Sequence, residues 1–160
     1  LNEGVTTAYA QLRELLSTFR LTVKEPNLRN ALEAMLEQLR GQTDTELELS
    51  YRLPPQLLAA HQHIHILQLT REATLNAIKH ANASRICISC EKNSDNMVVI
   101  SVEDNGIGLA HIKERDQHFG IGIMHERASR LSGMVEFSSN ASGGTSVVLT
   151  FPPQQEPHHG

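Results

Sequence analysis

The chain has 160 residues, of which 39% are hydrophobic and 20% charged, a length and composition typical of one globular domain rather than a disordered segment. The formal net charge of −4 argues against general nucleic-acid binding, which normally leaves a basic footprint. The longest apolar runs are far shorter than the roughly 18 residues that a membrane-spanning helix needs.

The first predicted element is an amphipathic helix over residues 5–20. Its apolar positions alternate in steps of three and four, a spacing typical of a coiled-coil seam. The helix either packs on its own domain or is the end of a longer helix from a dimeric bundle. The pattern begins at Leu1 without a capping signal, which favours the bundle. The apolar positions are Val5, Ala8, Leu12, Leu15 and Phe19.

Eight further elements follow the helix break at Glu25-Pro26-Asn27. Pro54 and Pro55 are expected to open the longest helix, since proline is tolerated in a first turn. The order predicts an α+β fold, a two-layer α/β sandwich with helices on one face of a mixed, mostly antiparallel sheet. The predicted helices cover about 27–40, 54–81 and 121–132, and the strands about 46–51, 84–91, 97–104, 134–139 and 145–151.

Polar residues follow one line of the longest helix. Glu72, Asn76, Lys79 and His80 fall at i, i+4, i+7 and i+8, so they share one face. Such a line can simply be solvated, but its content suits a phosphate ligand. An amide oxygen together with phosphate oxygens can hold Mg²⁺, a lysine can meet phosphate as a point charge, and a carboxylate can orient or deprotonate an attacking group.

Three glycine-rich turns follow this helix in order. The first is Asp104-Asn105-Gly106-Ile107-Gly108, in which a carboxylate ending a strand can accept a hydrogen bond from an exocyclic amine such as that of adenine. The second, Gly120-Ile121-Gly122, is expected just before a helix, where exposed amides favour phosphate. The third is Gly143-Gly144-Thr145, which alone would indicate only a hairpin turn.

Two other groups of residues have metal or redox spacing. Cys87 and Cys90 form a Cys-x-x-Cys pair, but on the predicted strand residues three apart point to opposite faces, so reduced thiols are expected. His61 and His65 lie one helical turn apart and allow a zinc site, although no further ligands cluster near them in the sequence.

The helix and the glycine turns together resemble the ATP-binding domain of the histidine kinase, gyrase, Hsp90 and MutL ATPase clan. Glu72-x-x-x-Asn76 resembles the N box of that clan, and the three turns resemble its glycine boxes. The resemblance covers about 45–151. It implies the Bergerat ATP-binding fold, with ATP and Mg²⁺ as cofactors.

The resemblance assigns a role to each matching residue. Asn76 is expected to hold Mg²⁺, Glu72 to be the catalytic N-box acid or a support for it, and Asp104 to accept the adenine amine. The lid over ATP is expected at residues 109–119. The implied ATP-binding residues are Asn76, Lys79, His80, Asp104, Asn105, Gly106, Gly108, Gly120, Ile121, Gly122, Gly144 and Thr145.

Within the clan, the sequence around Glu72 and the leading segment 10–20 are similar to the nitrate/nitrite sensor kinases. That similarity implies the cytoplasmic ATP-binding part of a homodimeric kinase in the bacterial inner membrane. Its partners would be its own phosphoacceptor bundle and a helix-turn-helix response regulator, with no direct contact to nucleic acid. Residues 1–24 would end the second bundle helix, 25–152 would be the catalytic domain, and 153–160 a disordered tail.

The phosphoacceptor motif, a histidine followed by an acid on a bundle helix, is missing from this sequence, so the piece is expected to bind ATP without phosphorylating itself. The phenylalanine-rich box of many other kinases is missing as well, which fits the subfamily. Two alternatives stay open. One is a free-standing ATPase of the same clan in which Glu72 activates water, and the other is an interaction module with a degenerate pocket.

Overall fold

The computed structural model of the protein describes residues 2–108 and 114–153, with the side chains at 2, 3, 7 and 114–119 left undescribed. The elements in chain order are α1 (Asn2–Lys24), α2 (Leu28–Arg40), β1 (Glu46–Tyr51), α3 (Ala60–His80), β2 (Arg85–Lys92), β3 (Val98–Asp104), α4 (Glu114–Arg130), β4 (Met134–Ser139) and β5 (Thr145–Phe151). Among these residues, no helix is both long enough and apolar enough to cross a membrane.

The five strands form one mixed sheet in the order β1-β2-β3-β5-β4. Only β1 and β2 run parallel, and the other neighbours are antiparallel. The predicted fold class and all five strands are therefore confirmed. The β2–β3 connection is a hairpin, in which Asn93 N donates to Met97 O over 2.9 Å.

Alternation along the strands separates a core face from an open face. On β2, Ile86, Ile88 and Cys90 are buried, while the intervening residues are more exposed. Cys90 therefore points into the core and Cys87 to the other face, and both thiols are free. Burial raises the pKa of the Cys90 thiol to about 12, so it is a neutral core residue and not a redox partner.

The helices cover the core face of the sheet. Helix α2 begins after Asn27, whose side chain accepts from Asn30 N, and it buries its apolar face. Helix α3 is central, with Ile66, Leu67 and Leu69 essentially inaccessible to solvent. The hydroxyls of the buried Thr70 and Thr74 donate hydrogen bonds to backbone carbonyls one turn earlier in α3, so both hydroxyls are satisfied within the helix.

The predicted start of α3 is wrong by about six residues. Pro54 and Pro55 lie in a turn, and the helix begins only at Ala60. Gln56 has a φ of 60°, which interrupts any helix that the prolines could open. Ala59, the residue before the helix, has an extended backbone, and the Ala59 N–H donates to Gln62 Oε1 over 2.8 Å.

The predicted start of α4 is wrong as well. Gly120 and Gly122 do not precede the helix but lie inside it, because α4 begins at Glu114. Each interior glycine costs about 1 kcal/mol of helix stability relative to alanine. Packing outweighs that cost, since Ile121 and Met124 contact the core. The amides of these glycines are therefore not an exposed helix N-terminus.

Helix α1 has two different faces. Thr18 and Leu21 are buried against the domain, and Thr18 Oγ1 donates to Gln68 Oε1 of α3 over 3.1 Å. The opposite face carries an apolar stripe that is between 47% and 72% exposed. Of the expected seam positions, Leu15 is partly exposed and the others are exposed, while Tyr9 and Leu16 widen the stripe. The exposed stripe consists of Val5, Tyr9, Leu12, Leu16, Phe19 and Val23.

Candidate functional site

The site is built around Asp104, the last residue of β3, on the core face of the sheet. Its side chain is 7% exposed. Oδ1 accepts hydrogen bonds from Gly106 N over 2.8 Å and from Thr145 N over 3.2 Å. These two bonds fix the carboxylate and leave Oδ2 without a hydrogen bond in the described part of the chain. Oδ2 is not among the fully buried atoms of the described residues, so it is accessible as an acceptor for a ligand donor.

Two of the predicted glycines are required by close contacts at this point. A Cβ at Gly106 would overlap the carbonyl of Ala81, at the end of α3, and a Cβ at Gly144 would overlap the carbonyl of Asp104. Gly108 has a φ of 84°, in the left-handed region that favours glycine. The first and third glycine turns therefore come together around the Asp104 carboxylate.

Thr145 contributes an unsatisfied polar atom to the same place. It is 5% exposed, and its Oγ1 is buried with no hydrogen-bond partner in the part of the chain that the structure describes. A buried hydroxyl without a partner costs about 1–3 kcal/mol, so such atoms are rare outside functional sites. The same residue donates its backbone N–H to Asp104 Oδ1. The Thr145 hydroxyl and the Asp104 carboxylate thus offer a donor and an acceptor in the same part of the fold.

Asn140 holds the third turn and was missed by the sequence reasoning. Its Nδ2 donates to Asp104 O over 2.8 Å, and its Oδ1 accepts from Gly144 N over 3.0 Å. Its Oδ1 also accepts from the N–H and the hydroxyl of Ser142. An asparagine shortly before a glycine pair is a signal for a side-chain-stabilised turn, and that signal could have identified it.

A second cluster lies on α3, where the predicted polar line meets α4. A Cβ at Gly120 would overlap Asn76 Nδ2 and would lie 3.2 Å from Glu72 Oε1. The absence of a side chain at position 120 therefore lets α4 approach both polar groups. Gly122 is different, because a Cβ there would meet nothing within 4 Å.

Glu72 is held in an unusual electrostatic environment. Burial raises its pKa above the ordinary 4.5, and the nearby Glu14 of α1 raises it further, while Lys79 and Arg71 act in the opposite direction. The polar line of α3 thus borders two helices. Gln68 contacts α1, Glu72 faces the charge of Glu14, and Asn76 contacts α4.

The remaining predicted site residues have mixed placements. Lys79 is exposed and His80 partly exposed in the last turn of α3. The Asn105 side chain turns toward the α3–β2 connection, where Oδ1 accepts from Ser84 N and Arg85 N. Ile121 packs on the core. The predicted lid falls outside the described residues over 109–113, and over 114–119 only its helical backbone is described.

The spacing of His61 and His65 only allows a zinc site, and no group of three or more potential metal ligands occurs among the described residues. His65 instead lies 3.3 Å from Arg127 Nη1 across the α3–α4 interface. Burial, followed by Arg127 and its neighbours, lowers the pKa of His65, which fits a neutral imidazole in that contact.

The sequence profile of the histidine kinase-, DNA gyrase B- and HSP90-like ATPases matches residues 61–155. The chain belongs to this family. The match runs from α3 to the end of β5 and so includes both clusters of this ATPase-family site. The N-box and glycine-box resemblance is thereby confirmed at the level of the family.

Relatives with high identity cover nearly the whole chain. The nitrate/nitrite sensor protein NarQ of Escherichia coli (strain K12) is 47% identical over 150 residues, which are 94% of this chain and 26% of that protein. The nitrate/nitrite sensor protein NarX of the same strain is 45% identical over 97% of this chain and 26% of its own length. The chain therefore spans about a quarter of the curated relatives it matches.

The fold recurs in a solved structure of the family. The blue-light activated histidine kinase of Erythrobacter litoralis EL346 superposes with a TM-score of 0.78 and 17% identity, over 96% of this chain and 52% of that one. At this identity the likeness concerns the fold, which confirms the mixed five-stranded sheet with a preceding helix.

ATP fits the residues of this site. The free Asp104 Oδ2 and the orphaned Thr145 hydroxyl supply the acceptor and the donor that an aminopurine edge requires, and the glycine turns keep side chains away from it. Mg²⁺ takes oxygen ligands and usually retains several waters. The amide oxygen of Asn76, beside Glu72, fits that preference with phosphate oxygens completing the shell.

Proposed function

We propose that the chain is the ATP-binding domain of a two-component sensor histidine kinase, presenting Mg·ATP to a phosphoacceptor histidine outside this sequence. The observation that carries the proposal lies at the end of β3, where Asp104 accepts from Thr145 N and the Thr145 hydroxyl is buried with no hydrogen-bond partner among the described residues. A buried hydroxyl without a partner lowers stability, and a bound ligand that accepts its hydrogen bond would offset this loss.

The residues at the end of β3 and in the first and third glycine turns would bind the adenine base. Asp104 selects the base by accepting its exocyclic amine, and Thr145 meets the base edge directly or through water. Gly106, Gly108 and Gly144 give the base its space, and Asn140 keeps the third turn in place. These groups bind and orient, so the specificity for adenine depends on the β3 end of the site.

The polar residues along one face of α3 would bind the phosphates and Mg²⁺. Asn76 would hold Mg²⁺ through its amide oxygen, and Lys79 and His80 would face the phosphates from the last turn. When bound, ATP would supply the phosphoryl group for transfer, and Mg²⁺ would neutralise part of the charge on the phosphates. Burial, and then the nearby Glu14, raise the pKa of Glu72 above its ordinary value. We assign Glu72 a supporting role, in which it would orient Asn76 or a magnesium-bound water.

The exposed face of α1 supports the bundle partnership. Its apolar stripe repeats in steps of four and three, which is the spacing of a helix seam. We infer that the stripe pairs with the phosphoacceptor bundle of a homodimeric parent protein. By similarity to NarQ and NarX, the parent would be an inner-membrane nitrate/nitrite sensor with this domain in the cytoplasm. Onward transfer would go to the aspartate of a helix-turn-helix response regulator.

The test is calorimetric titration of the chain with a non-hydrolysable ATP analogue, with and without Mg²⁺. Magnesium-dependent binding that Asn76→Asp impairs, without loss of thermal stability, is expected. Adding ATP and a separately produced phosphoacceptor bundle of NarQ should then phosphorylate the bundle histidine.

Two other outcomes would replace the proposal. Steady release of phosphate from ATP by the chain alone, abolished in Glu72→Ala, would indicate a free-standing ATPase. Absence of nucleotide binding at millimolar concentrations would indicate an interaction module, and the role assigned to Asp104 would be abandoned.

A further inference from the structure

A second cavity lies at the other end of the sheet from Asp104. It has a volume of about 1360 Å³ and is lined by the last residues of β1 and β2, Tyr51 and Lys92, and by Pro153 beyond β5. Asp104 pairs with Ile86 near the opposite end of β2. Six residues of strand separate Ile86 from Lys92, so the two sites are about 20 Å apart.

The charged side chains that line this cavity are all basic. Arg29 comes from the first turn of α2, and Lys92 from the end of β2, whereas no aspartate or glutamate occurs in the lining among the described residues. The chain as a whole carries a net charge of −4, so a cavity with only cationic charges departs from the average surface. This distribution favours an anion.

The start of α2 adds backbone donors to the same wall. Asn27 caps the helix by accepting from Asn30 N, which leaves the N–H groups of Leu28 and Arg29 without an intrahelical acceptor. Asn27, Leu28 and Arg29 all line the cavity. Free amides at a helix N-terminus add to the preference for negative charge.

A buried imidazole independently indicates a ligand. His63 of α3 is only 9% exposed, lines the cavity, and makes no hydrogen bond with any described residue. Burial, helped by His61, lowers its pKa, so its ring is neutral at physiological pH and offers one N–H donor. Its ring nitrogens are not among the fully buried atoms of the described residues, so the imidazole can reach a group bound in the cavity.

The rest of the wall is apolar. Leu53, Leu57 and Leu58, with the two prolines between them, line the cavity in the turn that precedes α3. An inorganic ion would leave this surface wet. An anion with an apolar body would cover it while its charged end meets the basic side chains.

We propose that this cavity is a second binding site, separate from the nucleotide site, for a small organic carboxylate with an apolar or aromatic body. The carboxylate would accept hydrogen bonds from the α2 N-terminus, Arg29 and Lys92, with His63 as a further donor. The apolar body would pack on the proline-leucine turn. The ligand would contact the connection between α1 and α2, because Pro26 also lines the cavity.

The test uses ¹H–¹⁵N correlation spectra of the chain titrated with benzoate and, separately, with benzamide, which has the same shape without the charge. Benzoate is expected to shift the amides of Leu28 and Arg29 saturably, with an affinity about tenfold or more above that of benzamide. The double substitution Arg29→Glu and Lys92→Glu should weaken benzoate by at least about tenfold. Arg29→Gln with Lys92→Gln provides a milder pair.

The matched control is Arg13→Glu with Arg20→Glu, which makes the same change of charge at exposed positions of α1 that do not line the cavity. It should leave benzoate binding unchanged, and the cavity variants should leave binding of the ATP analogue unchanged. The proposal is overturned if benzamide binds as well as benzoate, if the cavity variants bind benzoate like the wild type, if no saturable shift occurs, or if the shifts centre on Gly106 and Thr145.

Discussion

Asp104 offers a substitution that separates folding from base recognition. In Asp104→Asn the side-chain oxygen can still accept from the amides of Gly106 and Thr145, so the turn keeps both hydrogen bonds. The second oxygen becomes an NH₂ group, which cannot accept from the adenine amine. A hydrogen bond to a charged group contributes about 1.5–3 kcal/mol. The expected loss of ATP affinity is therefore about ten- to a hundredfold, with little change in stability.

Asp104→Ala gives the contrasting result. It leaves the buried N–H of Thr145 and the part-buried N–H of Gly106 without an acceptor, at about 1–3 kcal/mol for the buried group and less for the other. That loss is a substantial part of the roughly 5–15 kcal/mol that stabilises a domain. This variant should melt at a much lower temperature, whereas Asp104→Asn should melt close to the wild type.

The assay combines thermal denaturation with calorimetric titration of non-hydrolysable ATP and GTP analogues. The new NH₂ group can donate to the O6 atom of guanine, so Asp104→Asn should lose ATP and gain GTP relative to the wild type. Asp95→Asn, in the exposed β2–β3 turn, is the matched control and should bind ATP normally. Wild-type ATP affinity in a folded Asp104→Asn variant would refute the assignment of the base site.

Three further predictions test other parts of the structure. Gly120→Ala should weaken Mg·ATP binding by about tenfold because its methyl displaces Asn76, whereas Gly122→Ala, whose Cβ meets nothing, should bind normally; equal effects in calorimetry would contradict the α4 packing. Asn140→Ala should cost about 2–4 kcal/mol in urea unfolding, as its turn loses several hydrogen bonds, and a midpoint like that of the wild type would contradict this. The pKa of Glu72 in the folded protein lies above its ordinary 4.5, so ionisation of this carboxyl destabilises the fold as the pH rises from about 4 to 7. The melting temperature of Glu72→Gln should therefore exceed that of the wild type at pH 7 and match it near pH 4. A difference in melting temperature that grows on acidification would contradict this reasoning.

Local sequence signals were sufficient for most of the fold. Strand signals predicted all five strands and the placement of Cys87 and Cys90 on opposite faces, because side chains alternate with a period of two along a strand. The two wrong boundaries were both helix starts, at Ala60 and Glu114, and the reason is the same in each. Proline and glycine mark where a helix can begin or break, but tertiary contacts decide whether it does.

The sequence by itself determined the family and indicated the residues of the candidate site. The spacing of Glu72 and Asn76 places both on one helix face without any further information. The Asp-x-Gly order and the glycine pair indicated turns that other backbone can approach closely, as the overlaps at Gly106 and Gly144 show. Residue types at short range carry this information because helix period and turn conformation are local properties.

Only the tertiary structure decided which of these residues meet. It joined Asp104 to Thr145 across two strands, turned Asn105 away from the pocket, and gave Asn140 its role in the third turn. It also placed Glu14 near Glu72, and His63 in a cavity at the remote end. These relations depend on contacts between residues that are distant in the chain, and such contacts follow from the packing of whole elements, which no local pattern specifies.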